Sequence, residues 1–353
     1  MPSRTPSEAT MARTVLVTGV SRHIGARVAS ALAADPEIHR VIGVDTAPPP
    51  SATLDDGALL GRTEFVRVDL RSPDVARVIR AADIDTVVHL SLVSGPSHSR
   101  TAMKEHNVIG AMQLLAACQR SDTVRRVVIR STTAVYGSSP HAPAVFTEDT
   151  EPVDGARSGY EKDAFEIEGY VRGFARRRPD VSTTVLRFAN FMGPGVDSPL
   201  TRYFSQPVLP TVLGFDPRLQ FVHEDDAVEV LHRLAGEDHQ GVFNVAGDGV
   251  LLLSQCARRA GRPVVPLPSP AFGLLGGLAR GAGLVDFSPE QIALMSHGRA
   301  VDTGRIAAEL GWRPKYTTAA AFDDFLASRG ASPALPPTPA DVLGVLGGLL
   351  RRR

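Results

Sequence analysis

Cysteine and lysine are scarce in this chain, and no charge of one sign prevails. Among its 353 residues there are two cysteines, Cys118 and Cys256, both in apolar, helix-like runs. Two are too few for a disulfide framework or a cysteine-rich zinc site, and they suit a reducing compartment as core residues. The 38 basic side chains balance 38 acidic ones, which excludes a nucleic-acid surface built on bulk positive charge. Only three of the basic residues are lysines: Lys104, Lys162 and Lys315. His98, His106 and His141 are scattered without ligand spacing, so no metal is expected. No apolar run reaches the length of about 18 residues that a spanning helix needs. Residues 1–13 are polar and lack the apolar stretch of a secretory signal. The expectation is a disordered leader on a cytoplasmic protein without an integral membrane segment.

What is present is alternation. Short β-branched runs at 14–18, 40–44, 64–68, 86–90, 126–130 and 183–187 are separated by amphipathic stretches near 24–34, 73–82, 101–120 and 160–178. That order reads as an α/β fold with a doubly wound parallel sheet. After Asn190, Pro194, Pro199, Pro207, Pro210 and Pro217 interrupt the pattern, before 221–234 and 241–245 restore it. The reading is a Rossmann domain over 14–190 plus 221–246 and a smaller substrate lobe over 191–220 and 247–330. Residues 331–353 read as a Pro-rich linker and a C-terminal helix ending in Arg351, Arg352 and Arg353, a candidate for peripheral contact with a membrane or partner.

Right after the first strand, Thr18-Gly19-Val20-Ser21-Arg22-His23-Ile24-Gly25 opens a helix. A helix N-terminus offers free N–H groups and partial positive charge to a diphosphate, so Gly19, Ser21, Arg22, His23, Ile24 and Gly25 are candidate cofactor contacts. Asp45 closes the second strand, where a carboxylate accepts from ribose hydroxyls and repels a 2′-phosphate. This favours NAD over NADP, although Arg22 is placed to neutralise a 2′-phosphate.

At this point the residues resemble the extended short-chain dehydrogenase/reductase superfamily, specifically its NAD-dependent epimerase/dehydratase family, with a look nearest UDP-glucose 4-epimerase-like proteins. The likeness covers about Thr14 to Phe325. It runs through 66–70 (VRVDL), 87–92 (VVHLSL), Asn107 with Gly110, 131–137 (STTAVYG), 186–195 (LRFANFMGPG), 221–226 (FVHEDD) and 302–314 (DTGRIAAELGWRP). It implies that Asp69, Leu70, Leu90, Ser91 and Asn107 border the cofactor and that Asn190 and Arg218 serve the substrate. It also implies a homodimer through the helices at 101–120 and 160–178. In such enzymes a Tyr, helped by a Lys four residues on, removes a hydroxyl proton while hydride passes to NAD, and a Ser/Thr hydroxyl holds the substrate oxygen. Thr132 matches that hydroxyl. Lys162, with Glu166 following, matches the Lys and its contact with the nicotinamide ribose.

The pattern breaks at the Tyr. Four residues before Lys162 stands Ser158, and none of the five tyrosines has a Lys four residues later. Two residues along a helix turn a side chain roughly 200°, so Tyr160 replaces the Tyr only if the helix start is irregular, and Lys162 acting directly is the other substitute. Two function classes follow. One is an oxidoreductase or isomerase acting by hydride transfer on a nucleotide sugar or similar hydroxyl-bearing small molecule. The other is a catalytically degenerate dinucleotide-binding sensor or scaffold. A third, turnover of a bulky apolar alcohol, rests on the apolar segment 271–284.

Overall fold

A computed structural model describes residues 13–49, 61–93, 100–151, 159–269 and 288–330. The leader, Ser158, the apolar segment 271–284 and the C-terminal linker and helix lie outside the described residues.

Seven parallel strands form the central sheet: β1 (Arg13–Thr18), β2 (Ile38–Asp45), β3 (Glu64–Arg67), β4 (Thr86–His89), β5 (Arg126–Thr132), β6 (Ser182–Phe188) and β11 (Gly241–Val245). Their order, β11-β6-β5-β4-β1-β2-β3, is doubly wound, as the alternation requires. The six strand runs read from the sequence all reappear within a few residues. Val15, Leu16, Val17, Val87, Val88, Val127 and Val128 are fully buried, because helices cover both faces of a parallel sheet and leave its β-branched runs no solvent side. Those helices are α1 (His23–Ala34), α2 (Asp74–Ala81), α3 (Arg100–Lys104), α4 (Gly110–Gln119), α5 (Gly159–Arg177) and, ahead of β11, α7 (Glu224–Gly236). A π-helical turn, Glu105–Ile109, joins α3 to α4.

The Pro-rich region folds into short pairs: β7 (Asn190–Met192) with β10 (Phe221–His223), β8 (Leu209–Val212) with β13 (Val264–Leu267), and β9 (Arg218–Leu219) with β12 (Leu251–Leu252). With α6 (Pro199–Phe204), α8 (Leu253–Arg259), α9 (Pro289–His297), α10 (Gly304–Leu310) and α11 (Thr318–Ser328), these pairs complete the described elements. A second buried cluster forms here, centred on Phe204, Phe221, Phe322 and Phe325. Phe322 packs edge-on to Phe204 at 4.8 Å and stacks on Phe221 at 5.6 Å, geometries aromatic pairs prefer.

One buried polar network sets how α5 is rotated against the sheet. Arg187 of β6 binds Glu168 of α5 through Nη2 at 2.7 Å and Nε at 3.0 Å. Ser131 of β5 donates to Glu168 at 2.6 Å, and Arg187 donates to the Tyr136 hydroxyl, which donates to Asn244 of β11. Glu168 is thus held inward, and Ala164, Ile167, Val171 and Phe174 are buried with it.

Candidate active site

The crevice lies outside the carboxyl ends of β1 and β4, where the strand order reverses and open α/β sheets hold their ligands. Gly19 follows β1 at φ +81°, and a Cβ there would stand 3.0 Å from the Leu90 carbonyl carbon and the Ser91 amide nitrogen. Only glycine lets the turn run this close to the end of β4. A Cβ on Gly25 would overlap the Gly19 carbonyl oxygen. No side chain caps the start of α1, so its free N–H groups suit a diphosphate. Arg22 is exposed, while Ser21, His23 and Ile24 are half-buried.

Asp45 accepts from the Ser21 amide at 3.0 Å and the Ser21 hydroxyl at 2.6 Å through one oxygen, and from the Thr46 amide at 2.7 Å through the other. It borders a cleft of about 300 Å³ with Ser21, Arg22, Ser91, Met103 and His106. The Ser91 hydroxyl meets His106 Nε2 at 3.0 Å, and burial pulls the His106 pKa below its ordinary value. An acid-rimmed cleft beside a free helix N-terminus fits the adenosine and diphosphate of a dinucleotide. Asp45→Ala is expected to weaken NAD binding about tenfold or more, near 1.4 kcal/mol, and NADP binding less. Isothermal titration checks this, and an undiminished NAD affinity would remove the ribose contact.

Other positions expected at the cofactor have different roles. Asp69 is clasped by Arg71 at 2.6 Å, a bond that holds its carboxyl below the usual range, and it does not line the cleft. Leu70 is buried. Asn107, fully buried, accepts from the Val93 amide at 2.8 Å, donates to the Val93 carbonyl and donates to Asp163 at 3.1 Å. It ties the chain after β4 to α5. The Leu90 amide donates to Thr18 Oγ1 at 3.1 Å. His89 meets the same hydroxyl at 2.8 Å, and burial drives its pKa to about 3, so it stays neutral.

At the other end of the crevice, Thr132 closes β5. Its Oγ accepts from the Ala134 amide at 3.2 Å, which leaves its own proton for a ligand oxygen. The helix α5 packs on β5 and on the turn after it, and its first residue, Gly159, has a φ of +57°. Tyr160 is half-buried against the core of the sheet. Lys162 is exposed, about half a helical turn around from Tyr160 and Ala164. The lysine expected at the nicotinamide ribose therefore faces outward, and the residue one turn after Tyr160 on its own face is Ala164. Glu166 is only half-buried and pairs with Lys104 at 3.3 Å.

Two arginines donate to backbone carbonyls at this end of the sheet. Arg299 is one, bound to Glu161 at 3.0 Å, the Gly137 carbonyl at 2.9 Å and the Ser138 hydroxyl at 3.0 Å. Arg130 of β5 is the other: its Nη1 donates to the carbonyls of Leu90 at 3.3 Å and Leu92 at 3.1 Å, and its guanidinium lies 4.9 Å from the Phe191 ring centre. The sequence reading missed Arg130. Its signal was a charged residue at the end of an otherwise apolar strand run, RVVIR, two positions before Thr132. Arg218 is exposed and lines a second cleft of about 240 Å³ with Asp216, His297 and Arg299. Asn190 opens β7 and is half-buried.

His23 also has a partner that no local pattern announced. It is bonded to Glu224 at the start of α7, which also accepts from Gly195 at 2.8 Å and Arg27 at 3.1 Å. Burial opposes the charge on Glu224, but these donors hold its carboxyl below the usual range.

A glycine turn opening a helix, an acid closing β2 and a reversal of strand order at the crevice define a dinucleotide-binding Rossmann protein. More particularly, the chain belongs to the NAD dependent epimerase/dehydratase family, whose model matches residues 15–246. An uncharacterized protein of Mycobacterium tuberculosis is 48% identical over 329 residues, 92% of this chain and 86% of that protein. The human short-chain dehydrogenase/reductase family 42E member 1 is 30% identical over 241 residues, 63% of this chain and 58% of that protein. Among solved structures, dTDP-glucose 4,6-dehydratase from Bacillus anthracis in complex with NAD superposes with a TM-score of 0.68 at 17% identity, covering 90% of this chain and 97% of that one. UDP-glucuronic acid 4-epimerase from Bacillus cereus, in complex with UDP-glucuronic acid and NAD, gives 0.69 at 18% identity, covering 90% and 99%. Both of these are likenesses of fold. Among the described residues, no helix is long and apolar enough to cross a membrane, and no cluster of side chains could hold a metal ion.

Proposed function

We propose that this protein is an NAD-dependent oxidoreductase or isomerase that acts by hydride transfer on a nucleotide sugar or a similar hydroxyl-bearing metabolite. The observation that carries the reading is that Tyr160 packs against the sheet core from α5, the helix that contacts β5 and the turn after it. Family membership supports it, as do the nucleotide-sugar enzymes that share the fold.

NAD, when bound, supplies the hydride acceptor. Gly19, Ser21 and the N-terminus of α1 would receive its diphosphate, and Asp45 its adenine ribose, favouring NAD over NADP. Tyr160 takes the proton of the substrate hydroxyl, and Thr132 donates a hydrogen bond to the same oxygen as it becomes a carbonyl. This assignment puts the acid/base at Tyr160 in place of Ser158 or Lys162. Arg218 and Arg299, which line the second cleft, and Asn190 would serve the substrate. We also place the protein in the cytoplasm and infer a homodimer through the outer faces of α4 and α5, where Ile109, just before α4, and Tyr170 are exposed.

The test is to denature the purified full chain, identify any released dinucleotide, and follow reduced-nicotinamide absorbance with a panel of nucleotide sugars. The expected result is released NAD and reduction by one sugar. Bound NAD with no reduction by any of them would shift the assignment to a dinucleotide-binding sensor or scaffold. Failure to bind any dinucleotide would sink both.

A further inference from the structure

Three separate parts of the chain meet at one carboxylate. Glu224, at the start of α7, has only 4% of its side chain exposed. One of its oxygens accepts from the Gly195 amide at 2.8 Å, in the loop between β7 and α6. The other accepts from Arg27 Nη1 at 3.1 Å and from His23 Nε2, so that ring nitrogen carries the proton. His23 and Arg27 stand one turn apart on one face of α1, and Asp225, next to Glu224, takes the second Arg27 nitrogen at 2.6 Å. The start of α7 therefore grips the first two turns of α1, and the same carboxylate grips the loop.

The loop is shaped around this contact. A Cβ on Gly195 would run into the His23 ring and stand 3.0 Å from Glu224 Oε2, and one on Gly193 would stand 2.5 Å from Glu224 Oε1. Gly195 is not among the glycines of positive φ, so what demands glycine there is the space that His23 and Glu224 occupy. On the other side of the joint, the His23 amide belongs to the uncapped first turn of α1, where N–H groups have no partner within the helix. His23 thus gives its ring to Glu224 and offers its amide on the turn to which the diphosphate is assigned.

We propose that Glu224 is a positioning residue that couples dinucleotide binding on α1 to the order of the loop 193–195 ahead of α6. A diphosphate on the first turn fixes the start of α1, and His23 and Glu224 pass that constraint to the Gly195 amide. By linkage, an ordered loop favours the dinucleotide by the same factor. The loop follows β7, which opens with Asn190, a residue assigned to the substrate, so the consequence is an order of events: cofactor first, then a settled substrate side. The inference rests on the reading that a dinucleotide binds at the start of α1.

Hydrogen exchange of the full chain, read by mass spectrometry without NAD and with saturating NAD, reports on the loop directly. NAD is expected to slow exchange in the peptide carrying residues 193–197 about fivefold or more, the low end of common couplings between sites. Glu224→Gln keeps the volume but only one acceptor oxygen, so it serves the loop or α1 and not both. The slowing should vanish there although calorimetry still shows NAD binding. His23→Leu should abolish it from the α1 side, and His23→Gln, whose amide nitrogen donates to Glu224 in place of the ring, should keep most of it. A merely structural role would speed exchange with and without NAD alike and leave their ratio unchanged. In the reverse direction, Gly195→Ala is expected to lower NAD affinity about fivefold or more, and to lose most of that effect in His23→Ala, where the ring no longer meets the added methyl group. Slowing that persists in both Glu224→Gln and His23→Leu would be direct shielding by NAD and overturns the proposal, as does NAD binding to the wild-type chain with no slowing. If the wild-type chain binds no NAD, the dinucleotide reading fails and the coupling falls with it.

Discussion

Tyr160→Phe is expected to lower hydride transfer by about 10²–10⁴-fold, the usual contribution of a positioned acid/base. Stability and dinucleotide affinity should stay near wild type. The ring packs against the sheet core and phenylalanine keeps it, so the change removes a proton acceptor and little else. Lys162→Met is the paired control, and its rate should stay close to wild type, because Lys162 is exposed on the far side of the helix from Tyr160. Stopped-flow measurement of reduced nicotinamide with the substrate found in the sugar panel reads both. The opposite pattern, a silent Tyr160→Phe and a dead Lys162→Met, would return the chemistry to the lysine.

The largest stability effect is expected from breaking the pair that orients α5. Glu168→Gln leaves Arg187 buried and charged without its carboxylate, and removing one partner of such a pair costs roughly 3–5 kcal/mol. The neutral amide still fills the space between Ser131 and Arg187, so the loss is mainly electrostatic. Urea unfolding should show a lower midpoint at an unchanged slope, as expected for a change in stability without a change in the surface exposed. Arg187 also holds the Tyr136 hydroxyl at 2.8 Å and the Glu148 carbonyl at 3.3 Å, so partial loosening of the turn after β5 should accompany it. A loss below about 1 kcal/mol, the range of exposed pairs, would mean that the network does not fix the helix.

These two experiments bear on one ambiguity that the chain carries in its letters. An acid stands four residues after Lys162, at Glu166, and another four residues after Ala164, at Glu168. Spacing alone fits both registers. The lysine drew the sequence reading to the first, which left Ser158 in the place of the tyrosine and left Tyr160 needing an irregular helix. In the fold, α5 runs from Gly159 to Arg177. Glu166 reaches out to Lys104, Glu168 turns in to Arg187, and Tyr160 packs against the core of the sheet.

Asp69 and Asn107 show the same division. Both were recognised as members of motifs, and both are held by particular partners, Arg71 and the Val93 backbone. Position in a motif singled them out, whereas their hydrogen bonds are fixed by neighbours the motif does not contain.

The sequence by itself determined the parallel α/β sheet, the glycine turn with its helix, and the acid at the end of β2. Each of these depends on periodicity or on contacts between near neighbours, which residue order records directly. The tertiary structure alone decided which face of α5 meets the sheet, that Arg130 bonds the Leu90 and Leu92 carbonyls, and that His23 is joined to Glu224. Those outcomes depend on partners 19 residues apart for Arg187 and Glu168 and 201 apart for His23 and Glu224. A buried charge takes the orientation its distant partner allows, and no local pattern in the chain states where that partner will be.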